Sequence, residues 1–150
     1  MSPFPSTAHQ QAVTQLVTIL NEHVRNGSLG RVFAAGLKVV LDEPTGVGPD
    51  VVYVSMARMD GIREDGYHGA PDLIVEVLSS KPELDRLVKF KKYARAGVPH
   101  YWIVDPVEKS LAAYRLAAGR YELAGEGQGN ARFESELFPG LLIPLDRLWD

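Results

Sequence analysis

The sequence contains no cysteine, which excludes both a disulfide framework and a metal site built from thiolates. It also lacks any run of roughly 18 or more apolar residues that could span a bilayer. The opening residues, MSPFPSTAHQ, do not have the charged start and apolar stretch of a secretory signal. These absences predict a soluble, cytoplasmic protein that does not partner with a membrane.

Positive charge is not in excess either. The 16 lysines and arginines are outnumbered by 19 aspartates and glutamates, which gives a net charge of −3. This balance argues against a protein that holds nucleic acid mainly through bulk positive charge, although local basic patches are compatible with it.

The length and composition predict one globular domain. The 150 residues are 45% hydrophobic and 23% charged, which is enough for one core and too little for two. The first residues are rich in proline, serine and threonine, so we expect a flexible arm over residues 1–8 and a single domain over residues 9–150.

Apolar patterns predict the secondary structure of the first half of the chain. Helical spacing runs from a cap at Ser6 or Thr7 to a stop at Asn26-Gly27, and is carried by Ala12, Leu16, Ile19, Leu20 and Val24. Strands are predicted over residues 31–41, 50–56 and 72–78. The polar, glycine-containing residues 57–71 are predicted to be a long hairpin connection between the last two strands.

The second half continues the alternation of helix and strand. A helix capped by Ser79 or Ser80 should end at Ala96-Gly97, and HYWIVDP (100–106) should be a buried strand. The segments SLAAYRL, GRYELA and FPGLLIPLDRLW suggest a meander with a short terminal element. The order is helix, three strands, helix, strand and extra strands, so we predict an α/β (α+β) fold.

Glu76 is the residue that most needs a chemical reason. It lies between Val75 and Val77 in the apolar run LIVEVL, where burying a carboxylate without a partner costs several kcal/mol. One interpretation is a structural ion pair with a lysine or arginine. The other is a functional site, because perturbed acids often mark sites.

Antiparallel pairing of residues 50–56 with 72–78 would bring a second carboxylate to Glu76. It places Asp50 beside Leu78 and diagonal to Glu76, on one face. Asp72 would lie about 13 Å from Glu76 along its strand, too far to share an ion, so we expect it to end the loop. A different register of the two strands would change the choice of Asp50 over Asp72.

Two carboxylates held close together either keep a proton or take a divalent cation. Oxygen ligands with open positions for water and phosphate suit Mg²⁺ or Mn²⁺. Asp50 and Glu76 are therefore the predicted metal ligands.

The predicted helix after Glu76 contains a lysine whose positive charge could act in the site. Asp85, Lys89 and Tyr93 are spaced at i, i+4 and i+8 and fall along one face. Lys89 could stabilise charge at a scissile phosphate, whereas spacing alone favours a solvated Asp85–Lys89 surface pair. Lys91 and Lys92 are interpreted as a basic face that could contact a nucleic-acid backbone.

The run GAPDLIVEVLSS, followed by Asp85, Lys89, Tyr93 and AGVPHYWIVDP, resembles the Uma family of restriction-endonuclease-like proteins within the PD-(D/E)XK nuclease superfamily. The resemblance covers about residues 9–106 and is strongest over 69–106. It implies an αβββαβ core with a mixed central sheet, here with extra C-terminal strands. It also implies an endonuclease that hydrolyses nucleic acid, DNA by family analogy, through Asp50, Glu76 and a lysine.

The sequence departs from the superfamily pattern at that lysine. The usual position, two residues after the acid, is Leu78, so the resemblance assigns the role to Lys89. Some superfamily members add a carboxylate from the first helix, here Glu22, for which an exposed position is the simpler interpretation. His9 is interpreted as a cap or packing residue. Superfamily enzymes that cut both strands often dimerise, which implies a homodimer.

Two rival hypotheses stay open at this point. The domain could have lost cleavage and act as a nucleic-acid-binding or protein-interaction module. It could also be a structural domain in which Glu76 only pairs with Lys89.

Overall fold

The fold is taken from a computed structural model, which describes residues 4–42, 45–79 and 83–150, without the side chains of residues 83–85. Part of the predicted arm (1–3) and one of the two predicted caps of the second helix, Ser80, lie outside the described residues.

The first helix, α1 (Thr7–Asn26), has the predicted ends. The Ser6 side chain accepts a hydrogen bond from the His9 amide at 3.1 Å, and Gly27 follows the last turn. The predicted apolar stripe is buried along its length. Thr7 and Ala8, predicted to be part of the arm, belong to this helix.

A six-stranded sheet forms the centre of the protein, in the order β1-β3-β6-β7-β8-β9. Its strands are β1 (Gly30–Ala34), β3 (Val51–Ser55), β6 (Leu73–Val77), β7 (His100–Asp105), β8 (Ser110–Ala117) and β9 (Arg120–Gln128). Helix α2 (Glu83–Ala96) crosses between β6 and β7, which are therefore parallel, whereas the other neighbouring strands are antiparallel. The predicted α+β architecture with a mixed sheet and extra C-terminal strands is confirmed.

One local prediction was wrong, and a second, the long hairpin connection between the antiparallel strands β3 and β6, was correct but incomplete. The strand predicted over residues 31–41 is divided by a turn into β1 and β2 (Val39–Val40). The predicted hairpin connection contains a 3₁₀ helix (Met56–Gly61), β4 (Ile62–Arg63) and β5 (Gly66–His68), and the last two form a small sheet with β2. Strands of two or three residues are too short to show a hydrophobic periodicity in the sequence.

The main core lies between α1 and one face of the sheet. Val51, Val75 and Trp102 contribute from the central strands. The C-terminal segment, with β10 (Arg132–Phe133), β11 (Ile143–Pro144) and α3 (Asp146–Trp149), fills the rest of this core through Phe138 and Leu148. These residues are buried within their own chain, so the apolar character of the segment does not by itself indicate a dimer surface.

Helix α2 covers the other face. Tyr93 packs there with Ile74, Val98 and Tyr101, and all four are fully or nearly fully buried. Glu76 is on the same face as Ile74 because side chains alternate along a strand. None of the helices in the described ranges combines the length and apolar character needed to cross a bilayer.

Gly30 is predicted to be the glycine least tolerant of substitution. A Cβ at this position would collide with the backbone carbonyl of Val54 on the paired strand, and its φ of +155° adds strain. We expect Gly30→Ala to lower the free energy of unfolding by about 2 kcal/mol or more, measured by urea denaturation. Gly48→Ala is the matched control, because nothing lies within 4 Å of its added Cβ; equal stability of the two variants would contradict the prediction.

Candidate active site

Glu76 is a buried carboxylate near the carboxyl end of β6. Only 6% of the residue is exposed, and its strand neighbours Val75 and Val77 turn to the α1 core. The strand therefore delivers one charged side chain to the α2 face within an otherwise apolar run.

Two side chains from α2 contact the same oxygen of Glu76. Lys89 Nζ lies 3.2 Å from Oε2, and the Tyr93 hydroxyl donates to Oε2 at 2.7 Å. The i, i+4 spacing puts both groups on the helix face that packs on the sheet. The structure thus brings together three residues that the sequence analysis singled out.

Burial raises the pKa of the Glu76 carboxyl above its usual range, and the nearby Asp50 charge acts in the same direction. The Lys89 ammonium and the Tyr93 hydroxyl oppose this rise. The pKa of Tyr93 is also raised, first by burial and then by Glu76, so the phenol stays protonated and acts as a hydrogen-bond donor.

Asp50 reaches the same end of β6 from the partner strand. Its Oδ2 accepts a hydrogen bond from the Val77 amide at 2.7 Å. The ladder pairs Val51 with Val75, so its continuation places Asp50 opposite Glu76. The predicted pairing with Leu78 was wrong by two residues, a shift that preserves which face each side chain occupies.

His9 contacts Asp50 from the first turn of α1. Its Nε2 lies 3.3 Å from Asp50 Oδ1, and only 8% of the residue is exposed. Sequence reasoning treated His9 as a cap or packing residue. Its place on the apolar stripe, ahead of Ala12 and Leu16, was the available signal for a buried histidine.

A pocket of about 270 Å³ opens beside Glu76 at the carboxyl ends of β6 and β7. Lys89 and Arg86 line it from α2, and Leu78, two residues after Glu76, also lines it. Sequence reasoning missed Arg86, although it precedes Lys89 by three residues and therefore shares its helix face.

The other candidate residues lie away from this pocket. Asp72, at the opposite end of β6, accepts from the Ser55 amide at 2.6 Å and lies 3.7 Å from Arg58 Nε. Glu22 is exposed on α1, about 20 Å along the axis from His9. Lys91 and Lys92 do not line the pocket.

Asp85 belongs to the first turns of α2, but its side chain lies outside the described residues. The predicted Asp85–Lys89 surface pair is therefore not described. Lys89 forms an ion pair with Glu76.

Within the described ranges, no three histidine, aspartate or glutamate side chains converge in a cluster that could hold a metal ion. Glu76, Asp105 and Glu108 line the pocket, and Asp50 lies opposite Glu76 on the paired strand. Any metal held there would complete its coordination with backbone oxygen, water or substrate.

The family follows from the sequence as a whole. A model of the Uma2 family, described as "Putative restriction endonuclease", matches residues 1–146. The chain belongs to the Uma2 family. No curated protein matches the sequence significantly.

A solved structure shares the fold. A crystal structure from Anabaena variabilis, described as a "putative nuclease belonging to DUF820", matches with a TM-score of 0.77 and 19% identity. The match covers 99% of this chain and 84% of that one. At this identity the likeness shows that the Uma2 chain has the same nuclease-like fold.

Proposed function

We propose that this Uma2 protein is an endonuclease that hydrolyses phosphodiester bonds in nucleic acid, DNA in particular, with Mg²⁺ or Mn²⁺ held by Asp50 and Glu76. The observation that carries the proposal is the buried Glu76, which contacts Lys89 and lines an open pocket near a second carboxylate. A carboxylate that lines a pocket open to water and phosphate, with a lysine beside it and a second carboxylate on the paired strand, suits metal-assisted hydrolysis.

The donor set fits the proposed metal. Mg²⁺ typically takes one or two carboxylates and completes its shell with water and substrate phosphate oxygens. Asp50 and Glu76 supply that number, and the described residues offer no larger cluster of the kind that zinc or calcium would prefer. When bound, the ion would neutralise phosphate charge and lower the pKa of a coordinated water.

The protein's own residues would prepare this chemistry. The Val77 amide fixes one oxygen of Asp50, and the Tyr93 hydroxyl fixes one oxygen of Glu76, so both carboxylates are oriented before a ligand arrives. The side chain of Lys89 is 27% exposed, so its ammonium can turn toward a phosphate in the pocket and stabilise the negative charge that develops there.

Arg86 is expected to contact a phosphate at the rim of the same pocket. Arg86→Ala should raise the KM for DNA by roughly tenfold, equivalent to about 1.4 kcal/mol of binding, with little change in kcat. The slope of log Kd against log salt should also fall by about 1, because one phosphate contact is lost. Arg95→Ala, an exposed arginine in the last turn of α2, is the control; an unchanged KM and salt slope in Arg86→Ala would remove Arg86 from the interface.

A non-catalytic module is the second candidate, favoured by Leu78 at the usual lysine position. Such a module would bind nucleic acid through surfaces such as the Lys91 and Lys92 side of α2 and would not cleave it. The Glu76–Lys89 pair would then be a structural ion pair.

Cleavage assays separate these candidates. Purified protein is incubated with single- and double-stranded DNA and RNA, with Mg²⁺, Mn²⁺ or EDTA, alongside Glu76→Ala and Asp50→Ala. We expect metal-dependent cleavage by the parent and none by either variant. Cleavage that persists unchanged in Glu76→Ala would refute the mechanism, and binding without cleavage by the parent would favour the module. Crystals soaked in Mn²⁺ should show anomalous density between Asp50 and Glu76.

A further inference from the structure

His9 is the polar member of the otherwise apolar set of buried residues in α1. It lies on the buried stripe of α1, and its Nδ1 is buried without a hydrogen-bond partner among the described residues. Leaving a buried polar atom unpaired costs about 1–3 kcal/mol. Packing alone therefore does not account for an imidazole here.

The contact of the other ring nitrogen, Nε2, with Asp50 explains why a histidine is present at this position. Nε2 lies 3.3 Å from Asp50 Oδ1, while Asp50 Oδ2 accepts the Val77 amide at 2.7 Å. The carboxylate is thus contacted on both oxygens, by α1 on one side and by β6 on the other. Asp50 immediately precedes β3, so its side chain is held at the end of the strand by these two contacts.

The imidazole is itself held firmly. The His9 amide donates to the Ser6 side chain at 3.1 Å, and the helix is anchored by Ala12, Leu16 and Leu20, none of which is exposed. A ring on such a rigid support restricts the rotation of the carboxylate that it contacts. Groups that orient a metal ligand in this way typically change metal affinity or activity by about 10–100-fold when removed.

We propose that His9 is a positioning residue for Asp50, which it holds in the orientation required for divalent metal binding. The proposal rests on the function proposed above, in which Asp50 is a metal ligand. It assigns a role in the site to the N-terminal turn of α1, which lies outside the sheet and α2.

The first test uses the metal-free protein. In His9→Leu, which keeps apolar volume and removes the ring nitrogens, we expect the Val77 amide proton to move upfield and exchange faster, because its charge-assisted bond to Asp50 loosens. His9→Gln places an amide nitrogen at a similar reach and should restore both signals. His23→Leu, at the far end of the same helix, is the control and should leave them unchanged.

The second test is Mn²⁺ affinity, measured by calorimetry without nucleic acid. His9→Leu should weaken the Kd by about 10–100-fold and His9→Gln should recover most of it. A wild-type Kd or an unmoved Val77 amide in His9→Leu would overturn the proposal, as would a His9→Gln variant that behaves like His9→Leu. If the parent binds no Mn²⁺ while the Val77 amide still responds to His9, the proposed metal function fails although the His9–Asp50 contact is real.

Discussion

Glu76→Gln is expected to reduce the rate of DNA cleavage by about 10³-fold, which corresponds to about 4.1 kcal/mol of transition-state stabilisation. Glutamine keeps a carbonyl oxygen that can accept from Tyr93 and Lys89 but loses the negative charge that would hold a divalent cation. The change therefore separates the charge of Glu76 from its packing. Cleavage under single-turnover conditions and Mn²⁺ titration of the same preparations measure the effect.

The control for Glu76→Gln is Glu126→Gln, because Glu126 is an exposed acid of β9 outside the pocket. Thermal unfolding and the pattern of amide signals should be close to those of the parent in both variants. A Glu76→Gln protein that is folded and cleaves at the parent rate would exclude Glu76 as a metal ligand. A protein that unfolds at room temperature would instead show that Glu76 is structural.

Lys89→Met is expected to lower kcat by about 10²-fold, the scale seen when one group that stabilises transition-state charge is removed. Methionine fills a similar volume without the ammonium. Mn²⁺ affinity should not weaken and is expected to rise, because a positive charge 3.2 Å from Glu76 opposes a second cation at that carboxylate. Loss of turnover together with retained metal binding is the signature of a group that acts on the phosphate.

The opposite pattern would identify a structural ion pair. If Lys89→Met loses stability while cleavage and Mn²⁺ affinity stay at the parent values, Lys89 serves only to neutralise Glu76. Arg95→Met removes an exposed charge from the same helix outside the pocket and controls for the general effect of charge on DNA binding.

Apolar patterns account for the parts of the fold that the sequence could predict. Helix α1 has a long helical period between Ser6 and Gly27, and strand β6 is a short apolar run that contains one acid, Glu76. The small sheet could not be predicted in the same way, because β4 and β5 are set by turns and contacts with β2 over two or three residues each.

The register of the hairpin shows a second limit. Residues 56–68 fold into elements of their own, so the length of the connection does not determine which residue of β6 faces Asp50. The convergence of Asp50 and Glu76 could still be anticipated, because a register error of two residues leaves each side chain on the same face of the sheet. The His9 contact could not, since it depends on how α1 docks on the sheet rather than on any local pattern.

The contact between His9 and Asp50 also bears on the order in which the molecule assembles. Glu76 and Tyr93 are separated by 17 residues within one strand-helix unit, whereas His9 is joined to Asp50 only after α1 has packed across the sheet. Closing the longer chain segment costs more entropy, so the His9–Asp50 contact would form late, whereas the pairing of β3 with β6 already places Asp50 opposite Glu76. A chain in which α1 has not docked would keep the Glu76–Lys89 pair but lack the contact that we propose orients Asp50, so the proposed metal binding and cleavage would require the fully folded chain.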